Sequence, residues 1–288
     1  MRFSIKNCAG FEIAVREWGA PDGAPVLGVH GLGGQSLNFA RLAPRMIEHN
    51  EKQRIICPDL IGRGMSAWSR EPQTDYCFAQ YESIIGDLLD QLSIDRFCWL
   101  GVSMGGALGM RMAGGQLRKR VEALVLNDIG PEIDAATLQS IGAAMAADPG
   151  FASVEDLAAH LAAAFGAFGM RPSPDWGWTD MALAAARRTD AGRWKMHFDP
   201  NVAQQIEYHS ADYDLWSAFE SIEAPIFVFR GAHSMVLTEK TLADMQRHKP
   251  GLQVERVPDV GHAPLLDRVQ DATLIATFFD DARANEQI

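Results

Sequence analysis

Phe97-Cys98-Trp99-Leu100-Gly101-Val102-Ser103-Met104-Gly105-Gly106-Ala107-Leu108 changes character in the middle. Its first six residues are continuously apolar, as in a strand buried on both faces of a parallel sheet. From Met104 on, Gly, Ala, Leu and Met form a helical run that reaches residue 115. Ser103 therefore stands on a strand-to-helix turn inside Gly-x-Ser-x-Gly. Such a turn predicts a positive φ at the serine, with glycines two before and two after so that neighbouring backbone passes close by. It aims the hydroxyl outward and brings the helix N-terminus and the Met104 N–H to the same point, the arrangement a nucleophile and a developing oxyanion need.

Working outward, five more short apolar runs occur at 25–30, 54–58, 122–127, 225–230 and 252–257, separated mostly by helical patterns at 36–48, 78–91, 104–115, 239–248 and 265–279. That alternation predicts a doubly wound α/β fold. Two alternating runs before residue 19, split by Asn7-Cys8-Ala9-Gly10, predict an opening hairpin on an antiparallel edge. The expected architecture is a mostly parallel eight-stranded sheet flanked by helices. The interval 131–216 interrupts the rhythm. It has no convincing buried strand, and its helical runs at 153–165, with Ser153 and Asp156 spaced as a capping box, and 179–188 predict an inserted helical cap after the sixth strand. The expected units are thus 1–130 and 217–288 for the core and 131–216 for the cap.

Two further loops belong with the turn. His30-Gly31-Leu32-Gly33-Gly34 follows the first buried strand, and its glycines let backbone amides approach a ligand, so the Leu32 N–H is the expected partner of the Met104 N–H. His30 is expected to order that loop rather than to move protons. Val260-Gly261-His262-Ala263-Pro264 follows the last strand, and His262 is the expected general base.

These motifs, with Pro58-Asp59-Leu60-Ile61-Gly62-Arg63-Gly64-Met65-Ser66, resemble the α/β-hydrolase superfamily along essentially the whole chain, in particular its capped esterases, enol-lactonases and C–C bond hydrolases. The resemblance implies a serine hydrolase acting on a small, largely apolar ester or lactone, with C–C bond hydrolysis or cofactor-free perhydrolysis as alternatives. It also implies an acid in the loop after the seventh strand, where this chain has Ser234 and Met235. Asp128, at the end of the sixth strand, is the expected substitute, because adjacent strands lie about 4.8 Å apart. Asp259 would need a tight fold-back to reach His262. A site without its acid would suit a binding protein or receptor instead. Within the cap, Phe165, Phe168, Trp176 and Trp178 are the expected pocket residues, with Arg187, Arg188 and Arg193 able to meet a carboxylate.

The remaining expectations come from bulk properties. With 288 residues and 47% hydrophobic content the chain can bury a large core unaided, and its net charge of −11 opposes nucleic acid or anionic lipid as partner. No stretch approaches the roughly 18 apolar residues of a membrane span. Cys8, Cys57, Cys77 and Cys98 have neither disulfide nor metal-ligand spacing. The expectation is a cytoplasmic monomer or small homo-oligomer that takes a small-molecule substrate and uses no metal and no cofactor.

Overall fold

The computed structural model describes residues 1–167, 169–172 and 176–285. Eight strands form one sheet: β1 (Arg2–Cys8), β2 (Phe11–Gly19), β3 (Ala24–Val29), β4 (Gln53–Pro58), β5 (Phe97–Val102), β6 (Val121–Asn127), β9 (Ile226–Gly231) and β10 (Gln253–Val257). A separate small hairpin pairs β7 (Ala186–Arg188) with β8 (Trp194–Met196). The sheet order is β1-β2-β4-β3-β5-β6-β9-β10, with β2 antiparallel to both of its neighbours and every other pair parallel. The order reverses at β3, whose neighbours are β4 and β5. The crevice beyond the carboxyl ends of strands at such a reversal is where doubly wound sheets bind ligands.

The helices are α1 (Leu42–His49), α2 (Pro72–Asp75), α3 (Phe78–Gln91), α4 (Met104–Gly114), α5 (Ala135–Ala146), α6 (Val154–Ala167), α7 (Trp178–Ala185), α8 (Gln204–His209), α9 (Trp216–Ser221), α10 (Glu239–His248) and α11 (Val269–Asn285). In α3 the residues Phe78, Tyr81, Ile84, Ile85, Leu88 and Leu89 recur at helical spacing and are all buried, which makes the stripe that packs on the sheet. Burying each of its aliphatic side chains is worth about 2 kcal/mol of transfer free energy. On the same face α4 lies unusually close to the sheet because its glycines leave room: a Cβ at Gly105 would stand 2.1 Å from the Val29 carbonyl oxygen, and one at Gly109 2.5 Å from Trp99 Nε1. All four cysteines are buried free thiols. Among the described residues no helix is long and apolar enough to cross a membrane.

Between β6 and β9 the chain leaves the sheet for α5 to α9 and the β7–β8 hairpin. Leu215 N–H donates to the Pro131 carbonyl at 2.8 Å, which closes the neck of this insertion. Its base is continuous with the main core through Leu138, Val202, Ile206 and Tyr213. Among the described residues, α6 and α7 build a cluster of their own around Leu157, Ala158, Leu161 and Ala182. The helical run expected to 188 ends at Ala185, and its last three residues become β7. The turn at Asp190-Ala191-Gly192, with Gly192 at φ +73°, sends the chain back as β8. The helical stretch expected at 36–48 is likewise split, into a 3₁₀ turn at Ser36–Phe39 and α1.

Candidate active site

Ser103 has φ +49° and ψ −117° and sits immediately before α4. The flanking glycines are required by space: a Cβ at Gly101 would stand 2.4 Å from the Gly105 carbonyl oxygen. The strained turn is held from both sides. Ser103 N–H donates to the Asn127 carbonyl at 3.0 Å, and the Ser103 carbonyl accepts from the amides of Gly106 and Ala107 at 2.8 and 3.0 Å. Neighbouring structure thus overrides a conformation that a serine left alone would avoid.

Ser103 Oγ lies 2.9 Å from His262 Nε2, and His262 Nδ1 lies 2.8 Å from Asp128 Oδ2. An ionised carboxylate can only accept, so Nδ1 carries the ring proton and Nε2 is left to accept from the serine hydroxyl. Asp128 is fully buried and has φ +59°. Three donors satisfy it: Gly231 N–H at 2.9 Å on Oδ1, and on Oδ2 the Ser234 hydroxyl at 2.6 Å together with His262. The structure therefore brings Ser103, His262 and Asp128 into one chain of hydrogen bonds, with the carboxylate supplied from the end of β6. Met235 points outward with 58% of its surface exposed, and Asp259 makes no hydrogen bond with His262. Asn127 Nδ2 donates to the Pro264 carbonyl at 2.7 Å and fixes the loop behind the histidine.

The glycine loop after β3 is ordered by His30. Its Nδ1 donates to the Gly31 carbonyl at 2.7 Å, and its Nε2 accepts from Leu60 N–H at 3.0 Å, which leaves the ring neutral with one tautomer. Complete burial, aided by the nearby Arg63 charge, pushes the His30 pKa down to about 4. The Gly31 carbonyl also accepts from Gly34 N–H at 3.0 Å. In a trans peptide the N–H points opposite the carbonyl, so the Leu32 N–H faces away from these contacts. Arg63, itself fully buried, donates to the Leu32 carbonyl at 2.9 Å and lies against Met104 Sδ at 3.6 Å, tying the two expected oxyanion residues to one guanidinium. Neither the Leu32 nor the Met104 amide has a hydrogen-bond acceptor among the described residues.

Above Ser103 and His262 is a cavity of about 280 Å³. Gly31, Leu32, Ser103 and His262 form its floor, and the insertion contributes Met145, Leu161, Phe165, Met170, Trp176 and Met196. Phe165 and Trp176 both face this cavity. Trp178 does not: it opens α7 and packs on the small α6–α7 cluster. Phe168 lies outside the described residues. The three arginines take other partners, Arg187 over Trp68, Arg188 over Trp194 and Arg193 on the Gly150 carbonyl, and none lines the cavity. Sequence reasoning missed Ser234 as a partner of Asp128 and Arg63 as the clamp on the glycine loop. No spacing rule links residues 106 or 31 positions apart.

This arrangement matches a known family. The α/β-hydrolase fold family model covers residues 24–269, and the chain belongs to that family. It is 32% identical to the 3-hydroxybutyrate-oligomer hydrolase of Cupriavidus necator over 94% of this chain and 93% of that one. It is 24% identical to Lipase 1 of Psychrobacter immobilis, over 93% and 80%. An α/β hydrolase of known structure from Novosphingobium aromaticivorans superposes with a TM-score of 0.86, at 29% identity over 97% of this chain and 98% of that one. Family and relatives together mark the chain as a hydrolase.

Proposed function

We propose that this hydrolase cleaves small carboxylic esters through an acyl-enzyme on Ser103. The observation that carries the reading is the unbroken series Ser103 Oγ, His262 Nε2, His262 Nδ1, Asp128 Oδ2, with both links at or below 2.9 Å. His262 takes the serine proton as Oγ attacks the ester carbonyl, and Asp128 orients the ring and stabilises the imidazolium. The amides of Leu32 and Met104 receive the oxyanion. The imidazolium then protonates the departing alkoxide. In the second half, water gives a proton to His262 as its oxygen adds to the acyl carbon, and collapse of the adduct expels Ser103 Oγ, which takes that proton back from His262 as the acid is released. A carboxylate hydrogen-bonded to His262 supports this reading over that of a receptor that lost its acid.

Segment 131–216 acts in this proposal as a cap whose Met, Phe and Trp side chains select an apolar substrate. A cavity of about 280 Å³ falls at the low end of small-molecule pockets and favours a short ester. The similarity to a 3-hydroxybutyrate-oligomer hydrolase supports short hydroxyacyl esters as the substrate class. The test pairs fluorophosphonate labelling with hydrolysis of p-nitrophenyl butyrate and of the 3-hydroxybutyrate dimer. Labelling on Ser103 with turnover of at least one ester is expected. An unlabelled, inactive but folded protein would sink the reading.

A further inference from the structure

We infer that Ser234 is the residue that positions Asp128 for His262, so that the acid is held by a second hydroxyl rather than by the backbone alone. This rests on the roles proposed for Ser103, His262 and Asp128. A side-chain carboxylate rotates easily about its last torsion, which has broad, shallow preferences. Asp128 also sits one residue beyond the last β6–β9 ladder pair, Asn127 with Phe229, on a backbone of positive φ. Its orientation must therefore come from contacts on both oxygens. Gly231 N–H holds Oδ1, and Ser234 Oγ is 2.6 Å from Oδ2, the same oxygen that faces the imidazole.

The direction of the Ser234 hydroxyl is forced. Its oxygen accepts from the amides of Val236 and Leu237 at 3.2 and 3.1 Å, which engages both lone pairs and leaves only the O–H to give away. That proton has Asp128 in front of it. The serine is 7% exposed, and its loop is held in turn. Ser234 N–H donates to the Gly231 carbonyl at 2.9 Å, while the buried Arg230 guanidinium donates to the carbonyls of Leu237, Ala232 and Ser234 at 2.9, 3.3 and 3.4 Å. A rigid donor thus meets a carboxylate that would otherwise pivot away from the ring.

A double-mutant cycle on p-nitrophenyl butyrate tests this, because only residues that act through one another depart from additivity. Ser234→Ala should lower kcat about 10- to 100-fold, the worth of one hydrogen bond to a charged group, with KM within about twofold. Ser234→Thr, which keeps the hydroxyl, should recover most of that loss. In an Asp128→Asn background Ser234→Ala should cost nothing further. The downfield proton resonance of His262 Nδ1–H should move in Ser234→Ala and return in Ser234→Thr. Should Ser234→Ala be unstable, Ser234→Cys, with its weak donor, should give an intermediate kcat. Wild-type kcat in Ser234→Ala, or the same factor lost in both backgrounds, overturns the inference. Full activity of Ser103→Ala would instead overturn the catalytic reading on which it rests.

Discussion

The floor of the cavity and its roof are built on different terms. On the floor, the polar groups are tied by named hydrogen bonds to neighbours that are, His262 apart, themselves buried: Asp128 by three donors, the Ser103 turn by Asn127, Gly106 and Ala107, and the glycine loop by His30 and Arg63. Among the described residues the roof has an independent core of Leu157, Ala158, Leu161 and Ala182, and it meets the cavity largely through methionines and aromatics. Methionine adapts to irregular shapes, whereas a satisfied polar network admits one arrangement. In the proposed function the floor fixes the reaction and the roof chooses the substrate.

Substitutions can break that division. Ser103→Ala should reduce ester turnover about 10⁶-fold, as loss of the nucleophile does in a serine protease. Asp128→Asn should lower kcat about 10⁴-fold with the fold intact, read from steady-state kinetics beside thermal unfolding. The floor also carries a pH signature. His30 titrates at about 4 in the folded protein against 6.5 unfolded, so the unfolded chain binds more protons between those values and stability is lost as the pH is lowered through that window. Urea titrations should show about 2 kcal/mol lost from pH 7 to pH 5 through this residue, and His30→Gln should remove that share. On the roof, Trp176→Ala should raise KM about tenfold for octanoyl esters while leaving kcat for acetyl esters near wild type. A matching loss on both esters would show that the roof shares in the chemistry.

How much of this the sequence disclosed follows the same divide. Continuous apolar runs mark β3 to β6 and β9 to within a residue or two, because a strand buried on both faces leaves no other pattern, whereas β10 is a half-exposed edge strand in which Glu255 and Arg256 interrupt the apolar residues. The Gly101, Ser103 and Gly105 spacing is legible because sterics at a single turn dictate it. The partnership of Asp128 and His262 is legible only as strand adjacency, and Ser234 not at all, since both depend on how distant loops fold back. The insertion is the least legible. Helical periodicity runs on through Ala186 to Arg188, yet cross-strand pairing with Trp194 to Met196 takes those residues, and Trp178 faces its own cluster rather than substrate. An Ala-rich segment carries no directional pattern with which to tell these faces apart.

The neck of the insertion has an evolutionary consequence. The chain departs after Asp128 and is joined again at Pro131 and Leu215 before it re-enters the sheet as β9, whose last residue, Gly231, lies within a hydrogen bond of the same carboxylate. Exchanging what lies between two fixed and adjacent anchor points costs little, because loop-closure entropy grows only with the logarithm of length. A lineage built on this scaffold could swap, lengthen or shorten its roof wholesale and still inherit the reactive groups in register. By the same token, any change that spread the two anchors would be felt first at the acid, however far from it the change was made.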